Sequence, residues 1–196
     1  HLTTRRQRQM CIRDRLIQDA RRHHIMVLPV DVNHSSWDHQ ILSSADQQQP
    51  PIRLGLRLIK GLSEAAGQRI HTAQRQRTFA NVADLRQRAC LDRGDMEALA
   101  AADALSGISG NRYQSHWQTM ALEAHRPLLP HDSAVQRSQD DAAVTAAPSL
   151  PEDVVADYQS TGLTLRSHPL SLLRHQSPFD RCLLYTSPSP RDLLKS

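Results

Sequence analysis

No apolar run in this 196-residue sequence approaches the roughly 20 residues that would span a bilayer. No membrane partner is expected, and the single cysteine of the interior, Cys90, suits a reducing cytosol, so a cytoplasmic protein is expected. Cysteines number three and aromatics make up 4% of residues. That is too little for a disulfide framework or a cysteine metal knuckle. No glycine-rich phosphate loop, nucleophile elbow or Ser/His/Asp signature occurs. The histidines lack partners at metal-ligand spacing: His23 and His24 are neighbours that diverge on a helix, and His34 and His39 have no cysteine beside them. What remains is a chain whose apolar content is mostly Leu and Ala, a composition that favours helices packed through small contacts.

Both ends of the chain read unlike the rest. Arg5 to Arg15 spells RRQRQMCIRDR and Cys182 to Asp192 spells CLLYTSPSPRD. Both match in-frame translations of adaptors from transposon-based sequencing libraries, so residues 1–15 and 182–196 are set apart as non-native. These ends carry seven of the 24 basic residues and two of the 20 acidic ones, which leaves seventeen against eighteen. The interior, Leu16 to Arg181, is thus close to neutral. The pI of 9.3 is largely a property of the ends and is no nucleic-acid footprint. Cys90 is the one interior cysteine and reads as a small buried apolar residue.

Along the interior, Leu16–His24 reads as the end of a helix. Ile25–Val32, with Pro29, reads as a short edge strand and Ile52–Leu56 as a second one. Asn33–Pro51 between them is polar and reads as a loop. A helical block follows from Arg57 to about Leu122. Val82, Leu85 and Ala89 recur at helical spacing, as do Met96, Leu99 and Leu105. Asn111 caps a helix with Tyr113, Trp117 and Met120 on one face. His125–Pro151 is rich in Pro, Ser, Asp and Gln and reads as a flexible linker. Glu152–Gly162 reads as a helix closed by its glycine, and a second short helix follows Pro169.

Leu56–Ile70, LRLIKGLSEAAGQRI, carries the chemistry that the sequence offers. Gly61 can end one helix in a left-handed conformation. Ser63 can cap the next helix, with Glu64 in its first turn. Such a hairpin leaves the first amides of the second helix unpaired and facing outward, a site suited to one backbone phosphate. Lys60 at the rim would add a point charge, and Arg69, Arg75 and Arg77 would meet neighbouring phosphates if they share a face. Binding of this kind ignores sequence and weakens with salt. The same Gly and Ser also suit a turn that serves packing alone, and Glu64 opposes an anion.

Four phrases in order, VLPVDVNHSSWD, IRLGLRLIKGLSEAAGQRI, FANVADLRQRACLDRGDMEALAAADALSGI and EDVVADYQSTGLTLRSHPLSLLR, closely resemble the bacterial C-family DNA polymerase III alpha subunits, above all their error-prone, damage-inducible branch. The resemblance implies the end of the fingers region and a loop over 16–51, and a helix-hairpin-helix DNA-binding module over 52–124. It further implies a linker over 125–151 and a helical connector over 152–181 leading toward an oligonucleotide-binding barrel. On the hairpin it matches Lys60, Gly61, Leu62 and Ser63, with Ser63 where the family has a second glycine. Arg126–Asp132, RPLLPHD, stands where replicative members carry a sliding-clamp peptide, but lacks its Gln and Phe, so no clamp contact is expected through it.

The expected fold is therefore mainly α, a helix-hairpin-helix bundle with a small β element near its start and a disordered linker. The expected DNA-binding residues are Lys60, Gly61, Leu62, Ser63 and Arg69, and the partner is double-stranded DNA. Other mutagenesis or replisome proteins are possible partners of the parent. The resemblance implies a parent that is a DNA-directed DNA polymerase using Mg2+. This stretch lacks clustered palm carboxylates, so no cofactor and no catalytic residue are expected in it. The rival reading is a helical protein-interaction scaffold that binds no DNA, which the near-neutral interior and alanine-rich helices also suit.

Overall fold

The chain is described by a computed structural model over residues 2–42, 49–122 and 147–173. It opens with helix α1 (Leu2–Arg22), which continues back from the expected Leu16–His24 helix through the adaptor-like stretch. His24, at φ 59°, ends it, with the Ile25 amide bonding to the Ala20 carbonyl. Strands β1 (Val27–Leu28), β2 (Gln40–Ile41) and β3 (Ile52–Arg53) form a small sheet in the order β1-β3-β2. β1 runs parallel to β3 with Val27 opposite Ile52, and β2 runs antiparallel to β3 with Ile41 opposite Ile52. β1 is thus an edge strand and stops just before Pro29, as that residue demands. β2 lies inside the stretch read as loop. Its two residues are exposed and carry no alternation that would reveal a strand.

A 3-10 turn (Leu56–Leu58) leads through the Gly61 bend into α2 (Glu64–Gln76). Then come α3 (Val82–Arg88), α4 (Arg93–Ala101), α5 (Ser106–Ser109), α6 (Arg112–Ala121) and, beyond residues 123–146, α7 (Leu150–Ser160). Each helix from α2 to α4 starts on a side-chain cap: Ser63 accepts from the Ala66 amide, Asn81 from Asp84, and Asp92 from Asp95. The same holds at α6, where Asn111 accepts from Gln114. These are the orphan first-turn donors that short polar side chains satisfy. The helical spacing of Met96, Leu99 and Leu105 outruns α4, which ends at Ala101, because Asp103 adopts a left-handed φ of 57° and turns the chain into α5.

The core lies between the sheet and α2 to α4. Leu56, Ile70, Leu85, Met96, Leu99 and Leu105 are essentially sealed from solvent. Each such side chain contributes on the order of 1.5–3 kcal/mol of burial. One expectation about side chains is corrected. Cys90 is exposed, not buried, because it occupies the left-handed position that ends α3, at φ 48°. On α6 the apolar face of Tyr113, Trp117 and Met120 points outward, with Trp117 60% exposed. The inward face is polar: Arg112, Ser115 and Thr119. Arg112 is buried there because it bonds to Asp153 (2.7 Å) and Asp157 of α7. An ion pair, not an apolar seam, joins these two helices.

The chain divides after Leu165. The described part of the second unit, Arg166–Leu173, holds α8 (Pro169–Leu173), the short helix expected after Pro169, where the Ser171 amide bonds to the His168 carbonyl at 2.8 Å. The stretch Arg126–Asp132 and most of the expected linker lie outside the described residues, as does the second unit after Leu173. Among the described residues no helix is long and apolar enough to cross a membrane.

Candidate nucleic-acid interface

The hairpin is set by four residues with different tasks. Ile59 closes the 3-10 turn, its amide bonding to the Leu56 carbonyl at 3.0 Å. Gly61 has φ +89°, a conformation that costs a residue with a Cβ on the order of 1–2 kcal/mol. An added Cβ would meet only the Ala98 methyl, at 3.8 Å, so backbone conformation and not space selects glycine. Leu62 turns inward and is 7% exposed. Ser63, at φ −78° and ψ 152°, caps α2 through its Oγ, 3.1 Å from the Ala66 amide.

Gly61, Ser63, Glu64 and Ala65 are all exposed. The Ala66 amide is taken by the cap and the Gly67 amide by the Ser63 carbonyl (3.0 Å). The Glu64 and Ala65 amides come too early in α2 to find an acceptor within it. They stand at the positive end of a 13-residue helix, beside a glycine that adds no side-chain bulk. Such a bend can take one anionic oxygen.

The cations expected around it are otherwise engaged. The Lys60 ammonium donates to the Tyr158 and Gln159 carbonyls, at 2.8 and 2.6 Å. Arg69 donates from Nε to the Ala89 carbonyl at 2.9 Å and from Nη2 to Asp95 at 3.3 Å, tying α2 to α3 and α4. Burial raises the Asp95 carboxyl above its ordinary range, and nearby Asp92 adds to this against the opposing pull of the Asp92 contact and Arg69. Arg77 pairs with Asp84. Burial pushes Asp84 upward, but the Ala80 amide and the Arg88 and Arg77 guanidinium groups outweigh it and hold its carboxyl low. Arg75 is exposed but lies about 120° around α2 from Arg69, so the two do not share a face. An open groove of about 280 Å³ runs beside α2, lined by Gln68, Arg69, Thr72, Gln76, Arg88 and Cys90. Among the described residues no three His, Cys, Asp or Glu cluster in a metal-holding arrangement.

The residues that aim α2 come from the VDVNHSSWD segment, whose contacts the sequence reading did not find. Trp37 lies flat against Gly67, where a Cβ would stand 2.3 Å from ring atom Cε3. Ser35, fully buried, donates to the Leu54 carbonyl at 2.8 Å. Asn33 clamps Phe79 from both sides of its peptide, accepting from its N–H (2.7 Å) and donating to its carbonyl (3.1 Å). The available signal was a polar run too rich in hydrogen-bonding side chains to be idle; its partners are distant in sequence.

Residues 24–115 match the family described as helix-hairpin-helix motif. The chain is 47% identical over 170 residues to an error-prone DNA polymerase of Saccharophagus degradans, a match covering 85% of this chain and 16% of that protein. It is 50% identical over 162 residues to an error-prone DNA polymerase of Ralstonia nicotianae, covering 81% and 15%. With an error-prone DNA polymerase of Methylococcus capsulatus the identity is 43% over 178 residues, covering 82% and 17%. The chain thus spans about one sixth of the length of these relatives.

Proposed function

Since the chain is a homologue of one stretch of the error-prone DNA polymerases and carries a helix-hairpin-helix motif, we propose that residues 52–124 grip the backbone of duplex DNA for such a polymerase. The observation that carries this reading is the exposed bend itself. Gly61 at positive φ and the Ser63 cap form an exposed turn whose Glu64 and Ala65 amides come too early in α2 to find an acceptor within it. A phosphate oxygen bound there would fix register on the duplex without reading a base. The parent's chemistry, Mg2+-dependent nucleotidyl transfer in translesion synthesis, belongs to the five sixths of the relatives' length that this chain does not span. Holding the duplex near the primer end would be this stretch's share of that work.

The test deletes one amide. Position 64 is the first residue of α2, where proline is tolerated, and Ser63 already has the extended conformation that proline demands of its neighbour. Glu64→Pro therefore removes the donor while keeping the helix. Glu64→Ala removes the same carboxylate but keeps the amide. Fluorescence anisotropy with a labelled random-sequence duplex should give Glu64→Pro an affinity about tenfold or more below Glu64→Ala, the worth of a hydrogen bond to a charged group. Equal affinities for the two variants would remove the bend from the interface.

A further inference from the structure

Lys60 and Lys195 are the two lysines of the chain, and every other cationic side chain is arginine. Lys60 sits one residue before the Gly61 bend, yet its bonds run to the far end of the sequence. Its ammonium meets the Tyr158 and Gln159 carbonyls at 2.8 and 2.6 Å, and its own N–H meets the Ser160 carbonyl at 2.9 Å. These are three successive carbonyls in the last turn of α7, the groups that a helix leaves unpaired. Just beyond them Gly162, at φ +79°, lets the chain turn away. A Cβ there would stand 3.8 Å from Lys60 Cε. A compact ammonium with rotatable donors suits two converging carbonyls better than a planar guanidinium does. Positive charge is also favoured at a helix C-terminus.

We infer that Lys60 is a positioning residue: it latches the hairpin bend to the C-terminus of α7, and α7 is thereby part of the DNA-gripping unit. This rests on the reading of the bend as a phosphate site and changes the task of its nearest cation. Two helix ends of opposite polarity, the start of α2 and the finish of α7, converge on residues 60–63. The Lys60 charge stands against the negative end, and its main chain delivers Gly61 and Ser63 at the angle that exposes the α2 amides. The bend is therefore held from outside the hairpin, across 98 residues of sequence.

The experiment uses the whole 196-residue chain and a labelled duplex titrated over a series of NaCl concentrations. Lys60→Met keeps the aliphatic stem and removes the charge and donors. It should weaken binding by a constant factor at every salt concentration, leaving the slope of log K against log salt unchanged. Hydrogen exchange at the Thr161 and Gly162 amides should accelerate in the same variant. A slope shallower by about 0.9, the signature of one lost phosphate contact, would overturn the inference, as would unchanged affinity. In the wild-type chain, reductive methylation of Lys60 should be slow without DNA and no slower with saturating duplex. Fast methylation that duplex suppresses would mark a phosphate ligand and overturn it. If the wild-type chain shows no salt-dependent binding at all, the duplex reading fails instead, while the methylation rate without DNA still reports the latch.

Discussion

Replacing Gly67 by alanine sets two known effects against each other. In the middle of an exposed helix the change stabilises, because glycine is about 0.8–1.0 kcal/mol worse than alanine there. In α2 the new methyl would stand 2.3 Å from Trp37 Cε3 and 2.9 Å from Cζ3. Carbon atoms need about 3.5–4.0 Å, so the ring must retreat by more than 1 Å or α2 must tilt. Overpacking of this kind costs about 1–3 kcal/mol. If the half-buried ring is driven off its seat instead, about 100 Å² of apolar contact at roughly 25 cal/mol per Å² is lost, again about 2.5 kcal/mol. Steric cost wins, and Gly67→Ala should destabilise the chain by about 1–2 kcal/mol net.

The decisive measurement is the same substitution without the ring. Trp37→Ala alone should cost about 2–3 kcal/mol. In that background Gly67→Ala should stabilise by about 0.8–1.0 kcal/mol, because only helix propensity remains. Urea denaturation of the four chains, followed by circular dichroism at 222 nm, gives the coupling directly, and it should be about 2–3 kcal/mol. A Gly67→Ala effect of the same sign in both backgrounds would show that Trp37 does not seat α2, and the account of how the bend is aimed would fall with it.

Two further outcomes follow from buried charge and from histidine. Arg112→Met should lower stability by about 3–5 kcal/mol in thermal melts, because it strands the Asp153 and Asp157 carboxylates at the α6–α7 contact; a loss below 1 kcal/mol would mean that the pair is solvated. His39 accepts the Gly55 N–H on Nδ1 at 3.0 Å, and burial, then the Arg57 charge, hold its pKa below the ordinary 6.5 against the pull of Asp38. Its proton therefore binds more tightly in the unfolded chain, so stability is full above pH 6.5 and falls as pH drops through that value toward the folded pKa. Melting temperature should decline more between pH 7.5 and 5.5 in the wild type than in His39→Gln, and parallel declines would exclude His39 as the cause.

What the sequence made legible was local. Ser63 and Asn111 are caps because their own oxygens reach an amide three residues on. Gly61 and Gly162 end elements because glycine takes a positive φ at little cost. Both expected strands exist, shortened to two residues each. What stayed hidden depends on partners far along the chain. Periodicity drew Tyr113, Trp117 and Met120 onto one side of α6, as found, but only the buried Arg112 on the other side tells which side faces in. Burial statistics favoured an interior Cys90, yet its place after α3 required a left-handed residue at the surface. Lys60 and Arg69 were named for their charge. Carbonyl groups of α7 and of Ala89 had already claimed them, which no local pattern could announce.

The phrases that carry the family resemblance meet around one turn of backbone. VDVNHSSWD brings Trp37 against α2 and Ser35 against the strand that feeds the bend. IRLGLRLIKGLSEAAGQRI is the bend and α2 themselves. FANVADLRQRAC packs beside it, with the Phe79 peptide clamped by Asn33 and the Ala89 carbonyl holding Arg69. DYQSTGL supplies the helix end that receives Lys60. An exposed turn with a left-handed glycine has little of its own to hold its shape, so its geometry must come from neighbours. On the proposed reading of the bend as a phosphate site, which would have to be rigid to be useful, segments up to 125 residues apart in sequence, from Asn33 to Tyr158, would serve to build it.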